Sequence, residues 1–253
     1  MSDIWNVIRY GGVFFIGVLA AALGATVGGG GLLSVPFLIF VGLPPHIAIA
    51  TNRFGSVGVS VGALAKFSRE QKIVWKYVVP FSAIAIVGGY IGARILLQVD
   101  EKLLSRIIGF ALLALLPLFL IKRDFGITRV HVTRMKEIMG YAVYFLISVW
   151  GGFFAAGSGI FNRYAWTHFF GLTMTEVAAT GKIPWLVSSL VVLVTFIRAG
   201  VVHYPYGVTL FFGMLAGGYF GAHVAVKKGD AWVKRMFVVF VIISAAQLIF
   251  SPR

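Results

Sequence analysis

Two basic residues stand inside apolar stretches of the sequence, where a charge is expensive. Arg53 lies in the stretch ATNRFG at 50–55, and Lys182 lies in ATGKIP at 179–184. A cation in the middle of a membrane helix costs about 2.5–3.5 kcal/mol on insertion scales, so such residues usually face a cavity or a partner. Short hydrogen-bonding side chains accompany the two cations, namely Thr51, Asn52 and Thr180. The chemistry that this pattern indicates is the binding of a small anion.

Glycine-rich breaks precede both cations. The first is Gly28, Gly29, Gly30 and Gly31, and the second is Gly157-Ser158-Gly159. Helices that begin at such breaks present N–H groups that favour anions, and glycine lets a ligand approach the backbone closely. We therefore expect Gly29, Gly30, Ser158 and Gly159 to bind substrate together with the cations. The alternative is that the cations snorkel or bind helix C-termini, and that the glycines serve only close packing.

Further polar residues occur in the second half of the chain. Asn162 and Arg163 are substrate-binding candidates, with Arg163 expected either to strengthen the anion site or to pair with Glu176. Glu176 and His168 are candidates for coupling proton movement to transport, because both can titrate. For Glu176 the alternative is a helix cap in the stretch TMTE at 173–176.

Composition indicates lipid as the solvent for most of the chain. Of 253 residues, 59% are hydrophobic and only 12% are charged, against about 45–50% and about 25% in soluble domains. Apolar runs long enough to cross a hydrocarbon core of about 30 Å recur along the chain. The net charge of +14 lies mainly between these runs, which favours membrane topology over nucleic-acid binding. The N-terminus lacks the features of a signal peptide, so we expect it to be retained.

The sequence gives little support for an enzyme. The chain has no Cys, which excludes disulfides and cysteine-ligated metal centres. Its five His have no metal-ligand spacing, and no GK[ST] follows the glycine tract at 28–31. We expect neither a cofactor, nor a metal, nor catalysis. A membrane enzyme or assembly factor has only the polar residues inside apolar segments in its favour.

The sequence repeats itself at an offset of 129 residues. Gly88-Gly89-Tyr90 falls on Gly217-Gly218-Tyr219, and Arg53 falls on Lys182. An internal repeat of this kind indicates duplication. We predict a first membrane repeat at 1–121, a basic connector at 122–137 and a second membrane repeat at 138–253. The predicted elements lie at 11–27, 32–42, 47–67, 77–98 and 103–121, then at 138–156, 160–171, 176–197, 205–226 and 232–250.

Loop charges predict the orientation of the two halves. The loop at 66–76 and the connector are rich in Lys and Arg, which places them on the cytoplasmic side. In the second half the basic loop is instead the one at 227–235. This swap predicts an all-α polytopic membrane protein with two inverted repeats of about five elements, the second of each short, and both termini outside. The alternative is eight crossings in two parallel groups, with the short elements re-entrant.

These motifs resemble the TauE/SafE family of sulfite exporters. The resemblance rests on GGGGLLSVP at 28–36, GLPPH at 42–46 leading to ATNR at 50–53, ATGK at 179–182, and the GGYxGA pair. It implies export of sulfite or a small organosulfonate across the cytoplasmic (inner) membrane. The chain departs from many relatives at Gly151, where they carry an acid, and at Ala155-Ala156, where Gly-Pro is common.

An anion channel, or an uptake permease for a carboxylate or thiosulfate, is the alternative. The expected partners are a small anion, the lipid bilayer and a coupling proton, and oligomerisation stays open.

Overall fold

The protein is built from helices that follow one another along the chain. The computed structural model describes residues 2–26, 30–70, 72–104, 106–107, 110, 129 and 131–250, with side chains over 7–25, 30–69, 72–104, 106–107, 110, 129 and 131–228. The helices are α1 Ser2–Thr26, α2 Gly31–Phe40, α3 Pro45–Phe67, α4 Trp75–Leu96, α5 Arg134–Phe153, α6 Ser158–Phe170, α7 Met174–Thr180, α8 Lys182–Arg198 and α9 Tyr204–Phe250.

Several of these helices are long and apolar enough to cross a membrane. The candidate spans in the described part are Val7–Ala25, Pro45–Phe67, Trp75–Leu96, Met174–Arg198 and Tyr204–Lys228. No strand occurs within the described ranges. The prediction of an all-α polytopic membrane protein is therefore confirmed.

The second element of each half is short, as the glycine breaks predict. Helix α2 has 10 residues and α6 has 13, which corresponds to about 15 Å and about 20 Å. Left-handed glycines bound α6, since Gly157 has φ 76° and Gly171 has φ 68°, a conformation that glycine adopts without a steric penalty. Gly28 and Gly29, before α2, lie outside the described residues.

One predicted boundary in the second half is wrong. The elements expected at 205–226 and 232–250 form one continuous helix of 47 residues, because the intervening residues contain no Pro and a single Gly229 costs a helix only about 1 kcal/mol. The element expected at 176–197 corresponds to the candidate span Met174–Arg198. Within it α7 and α8 follow one another with Gly181 between them, and Gly181 keeps a helical conformation with φ −67° and ψ −15°. Of the element expected at 103–121, residues 103–104, 106–107 and 110 are described, and all are helical.

The two halves hold each other by equivalent contacts. Helix α9 packs against α1 and α3, while α4 packs against α5 and α8. The Thr51 hydroxyl accepts a hydrogen bond from the His203 backbone N–H at 3.1 Å, and the Thr180 hydroxyl accepts one from the Val74 N–H at 3.0 Å. The two donor residues, Val74 and His203, are themselves 129 residues apart. Each half therefore binds the other through an equivalent threonine, so the two contacts are reciprocal.

The glycines of α3 show the direction in which α9 runs beside it. Gly55 faces Leu210, and Gly62 faces Leu215 and Tyr219. Because the partner numbers rise together, α3 and α9 run parallel.

Contacts with α8 fix the relative direction of α3 and α4. Ser56 of α3 meets Ser189 of α8, and Gly89 of α4 meets Ser188. If α3 and α4 ran parallel, the chain between Phe67 and Trp75 would have to bridge about 38 Å. Eight Cα–Cα steps reach at most about 29 Å. Helix α4 therefore runs antiparallel to α3.

The second GGYxGA motif allows α9 to approach α1 at backbone distance. A Cβ added at Gly221 would lie 2.7 Å from the Ala22 Cα, whereas one added at Gly11 would meet nothing within 4 Å. We expect Gly221→Ala to lower the free energy of unfolding by about 2 kcal/mol, because overpacking costs up to about 3 kcal/mol and the gain in helix propensity returns about 1 kcal/mol. Denaturant titration in detergent measures this change. The matched control Gly11→Ala should be neutral or slightly stabilising, and equal behaviour of the two variants would contradict the packing.

Candidate functional site

A cavity of about 100 Å³ lies where the two halves meet. Residues of α1, α2, α3, α6, α7, α8 and α9 contribute to its walls. Of the residues predicted from sequence, those that line it are Gly30, Asn52, Ser158, Gly159, Asn162, Arg163 and Lys182. The structure thus brings together both glycine breaks and two basic side chains. Gly29, the remaining predicted glycine, lies outside the described residues.

Lys182 lies in the wall of the cavity, directly after Gly181. The residue is the first of α8, and its side chain is buried. Its Nζ donates a hydrogen bond to the Gly24 carbonyl of α1 at 3.2 Å. A second cation, Arg163 of α6, lines the same cavity, is also buried, and donates to the Met174 carbonyl at 3.4 Å. Among the described residues of the lining, none is acidic.

Two further polar groups in the wall have no hydrogen-bond partner among the described residues. These are the indole Nε1–H of Trp166 and the Oδ1 of Asn162, both fully buried atoms. An indole N–H is a donor only, and a buried donor without a partner is costly. Rotation of the Asn162 amide group would turn its NH₂ toward a ligand. Sequence reasoning missed Trp166, although its spacing from Asn162 and Arg163 places the three on one helix face.

Asn52 is oriented by a neighbour. The Ser34 hydroxyl donates to the Asn52 Oδ1, which leaves the amide NH₂ of Asn52 available, on the side of the lining residue Gly31. Ser158 also lines the cavity, and its hydroxyl donates to the Ala155 carbonyl at 2.6 Å. Ala155 has φ 67°, an unusual left-handed conformation for a residue with a Cβ.

Arg53 does not line the cavity, although it is the repeat partner of Lys182. Its guanidinium is fully buried and donates to the Gly151 carbonyl and to the Ser189 hydroxyl at 3.4 Å. It also lies 4.8 Å from the ring centre of Trp185, which does line the cavity. Arg53 is an interior residue of α3, and Lys182 is the first residue of α8, directly after Gly181. Equivalent positions of the repeat therefore have different surroundings.

Thr51 and Thr180 also lie outside the lining. Both are fully buried, and their hydroxyl groups form the reciprocal contacts between the halves that are described above. Their position beside the cations in the sequence therefore does not bring them to the cavity wall.

The two coupling candidates are placed elsewhere. Glu176 forms a capping box with Thr173 at the start of α7 and pairs with Arg129 at 2.6 Å. The hydrogen bond and charge of Glu176 raise the pKa of Arg129. The alternative interpretation of Glu176 as a helix cap is therefore confirmed. His168 is exposed near the end of α6.

Comparisons with known proteins agree with this architecture. A family model described as "Sulfite exporter TauE/SafE" matches residues 13–248. A "Probable membrane transporter protein" of Haemophilus influenzae is 24% identical over 94% of each chain. The "Probable membrane transporter protein YfcA" of Escherichia coli K12 is 25% identical over 95% of this chain and 90% of its own. YunE of Bacillus subtilis, with the same description, is 23% identical over 93% and 96%. No solved structure matches the chain significantly.

Proposed function

The chain belongs to the sulfite exporter TauE/SafE family and is a multi-pass membrane transporter, and from that premise we propose that it is a secondary carrier of a small oxyanion. The observation that carries the proposal is the cavity in which Lys182 and Arg163 meet without an acidic lining residue in the described part. Removing a cation from water costs several kcal/mol even after relaxation. An anion bound between the two cations would offset that cost.

The size of the cavity supports an anion of a few heavy atoms. A cavity of about 150 Å³ in another protein accommodates benzene, and the one here is about 100 Å³. Sulfite, sulfate and the shortest organosulfonates are of suitable size, and long-chain anions are not. We propose sulfite or a small organosulfonate as the cargo, with export as the direction, in line with the family description.

The arrangement of donors favours a compact oxyanion over a planar carboxylate. Lys182, Arg163, Trp166 and Asn52 approach the cavity from three different helices, α8, α6 and α3. Donors that converge from several directions suit a pyramidal or tetrahedral anion with three or four oxygens. Trp166 and Asn162 would find in this anion, or in its bound water, the partner that the described protein residues do not provide.

We further propose that the halves are inverted repeats, with the connector at 122–137 cytoplasmic and the N-terminus outside the inner membrane. Helix α9 runs parallel to α3 and α4 antiparallel to it, so the repeat partners α4 and α9 run in opposite directions. Inverted repeats let one half rock against the other around a central site, which is the basis of alternating access. Labelling of single cysteines, introduced into this cysteine-free chain, with a membrane-impermeant reagent tests the orientation.

Flux in proteoliposomes tests the proposed function. Labelled sulfite should move down its gradient with a rate that saturates as its concentration rises, because each turnover requires binding and a conformational change. Excess sulfate or methanesulfonate should compete, whereas an anion too long for the cavity, such as dodecyl sulfonate below its micellar range, should not. Non-saturating flux accompanied by single-channel current would contradict a carrier.

A further inference from the structure

The Lys182 amine has unusual surroundings for a charged group. Its side chain is 9% exposed, and the hydrogen bond that the structure gives it runs to the Gly24 carbonyl. A protonated lysine carries three N–H donors, so one carbonyl accepts from one donor and leaves the other two for other partners. A neutral amine has fewer donors and carries no charge, so its burial beside a single carbonyl costs less.

The charged groups on the surrounding helices do not supply a counter-charge within the described residues. From α6, Arg163 adds a second positive charge to the same cavity. On α7, Glu176 is engaged by Arg129 and the Thr173 backbone. Helix α1 offers the Gly24 carbonyl.

The remaining neighbours add no carboxylate either. On α3, Arg53 is directed to Gly151 and Ser189. Helix α9 contributes Met214 to the wall, and its His223 and Lys227 are exposed. On α4, Lys76 and Tyr77 are bonded to Glu137 of α5. Around Lys182, therefore, the described titratable groups are basic or already engaged.

Two cations in one small cavity can reduce their repulsion in two ways. An anion can bind between them, or one cation can lose its proton. Arginine does not deprotonate in proteins, whereas the lysine amine does so readily when buried. The loaded cavity thus favours the ammonium form of Lys182, and the empty cavity favours the neutral amine.

We propose that Lys182 takes up a proton when the anion binds and releases it when the anion leaves, so that each anion crosses the membrane together with one proton. The step is R–NH₂ + H⁺ + Aⁿ⁻ → R–NH₃⁺···Aⁿ⁻, with the proton drawn from the solution on the side where the anion enters and returned on the other side. This inference rests on the proposed function of the cavity. It assigns coupling to Lys182 in place of Glu176 and His168. Glu176 is paired with Arg129, and His168 is exposed.

Calorimetry on the purified wild-type chain tests the proposal. Sulfate is titrated into the protein in two amine buffers of different ionisation enthalpy, since sulfonate buffers would compete for the site. The difference in apparent heat gives the protons bound per anion, and we expect a value approaching one at the upper end of the range from about pH 6 to about pH 9. Linkage then requires the apparent Kd to rise by up to about tenfold per pH unit.

Two variants show whether Lys182 carries that proton. Lys182→Arg keeps a cation that cannot deprotonate, so it should bind sulfate with an altered affinity that does not change with pH and without proton uptake. Lys227→Met, which alters an exposed lysine of α9, should retain the wild-type uptake. Sulfate binding by the wild type without proton uptake would overturn the inference by itself, even if Lys182→Arg failed to fold. Undiminished uptake in Lys182→Arg would also overturn it. Failure of the wild type to bind sulfite, sulfate or methanesulfonate would contradict the proposed function itself.

Discussion

Lys182→Met should abolish measurable oxyanion binding and reduce flux in proteoliposomes at least about 30-fold. Truncating one partner of a buried charge pair costs about 2–5 kcal/mol, and about 1.4 kcal/mol corresponds to a factor of ten. Methionine has nearly the volume of lysine, so the cavity wall should keep its shape. Binding is measured as anion-dependent protection against thermal unfolding, because a ligand that binds only the folded state stabilises it by mass action.

The anion-free stability of Lys182→Met separates a binding role from a structural one. The lysine is buried, with a backbone carbonyl as its acceptor and a second cation in the same cavity. Replacing such a buried amine by an apolar side chain of similar volume should leave the melting temperature of the anion-free protein unchanged or raise it. A variant that melts much earlier than the wild type, or one that transports normally, would contradict the role assigned to Lys182. Lys227→Met again serves as the matched lysine substitution at an exposed position.

Arg163→Met should weaken oxyanion binding by about tenfold to hundredfold. A hydrogen bond to a charged group contributes about 1.5–3 kcal/mol, and the side chain lies 7% exposed in the wall of the cavity. The effect should appear as a higher Kd in calorimetry and as a higher half-saturating concentration in flux measurements.

Two further substitutions serve as controls for Arg163→Met. Arg163→Lys retains the charge but loses the planar fork, and should recover part of the affinity. Arg198→Met changes an exposed arginine at the end of α8 and should bind as the wild type does. If Arg163→Met bound sulfate with wild-type affinity, the second cation of the site would have to be assigned elsewhere.

Much of the fold follows from the sequence, because the features that determine it are local or periodic. The glycine breaks around 28–31 and 157–159 predict the two short helices, and the GGYxGA pair predicts close helix packing. The continuity of α9 across residues 226–232 could not be predicted in the same way. A run of basic residues with one glycine is compatible with a loop or with a helix, and only the contacts of the folded chain decide.

The site is less symmetric than the repeat implies. Arg53 and Lys182 are equivalent by offset, yet of the two only Lys182 lines the cavity. Asn162 and Arg163 occupy positions where the first half has Leu33 and Ser34. The second half therefore provides both cations that line the cavity, and the first half provides mainly glycines and the Asn52 amide. Sequence offset alone does not carry this information, since it reports ancestry and not side-chain direction.

The position of a heavy oxyanion bound to the protein tests directly whether the cavity is the anion site. Selenate resembles sulfate in shape and charge, and anomalous diffraction locates its selenium in crystals of the wild-type chain. We expect one selenium peak in the cavity, with oxygens within about 3 Å of the Lys182 Nζ and the Trp166 Nε1. Selenium peaks confined to the basic loops at the membrane surface, with an unoccupied cavity at a selenate concentration that inhibits sulfite flux, would contradict it.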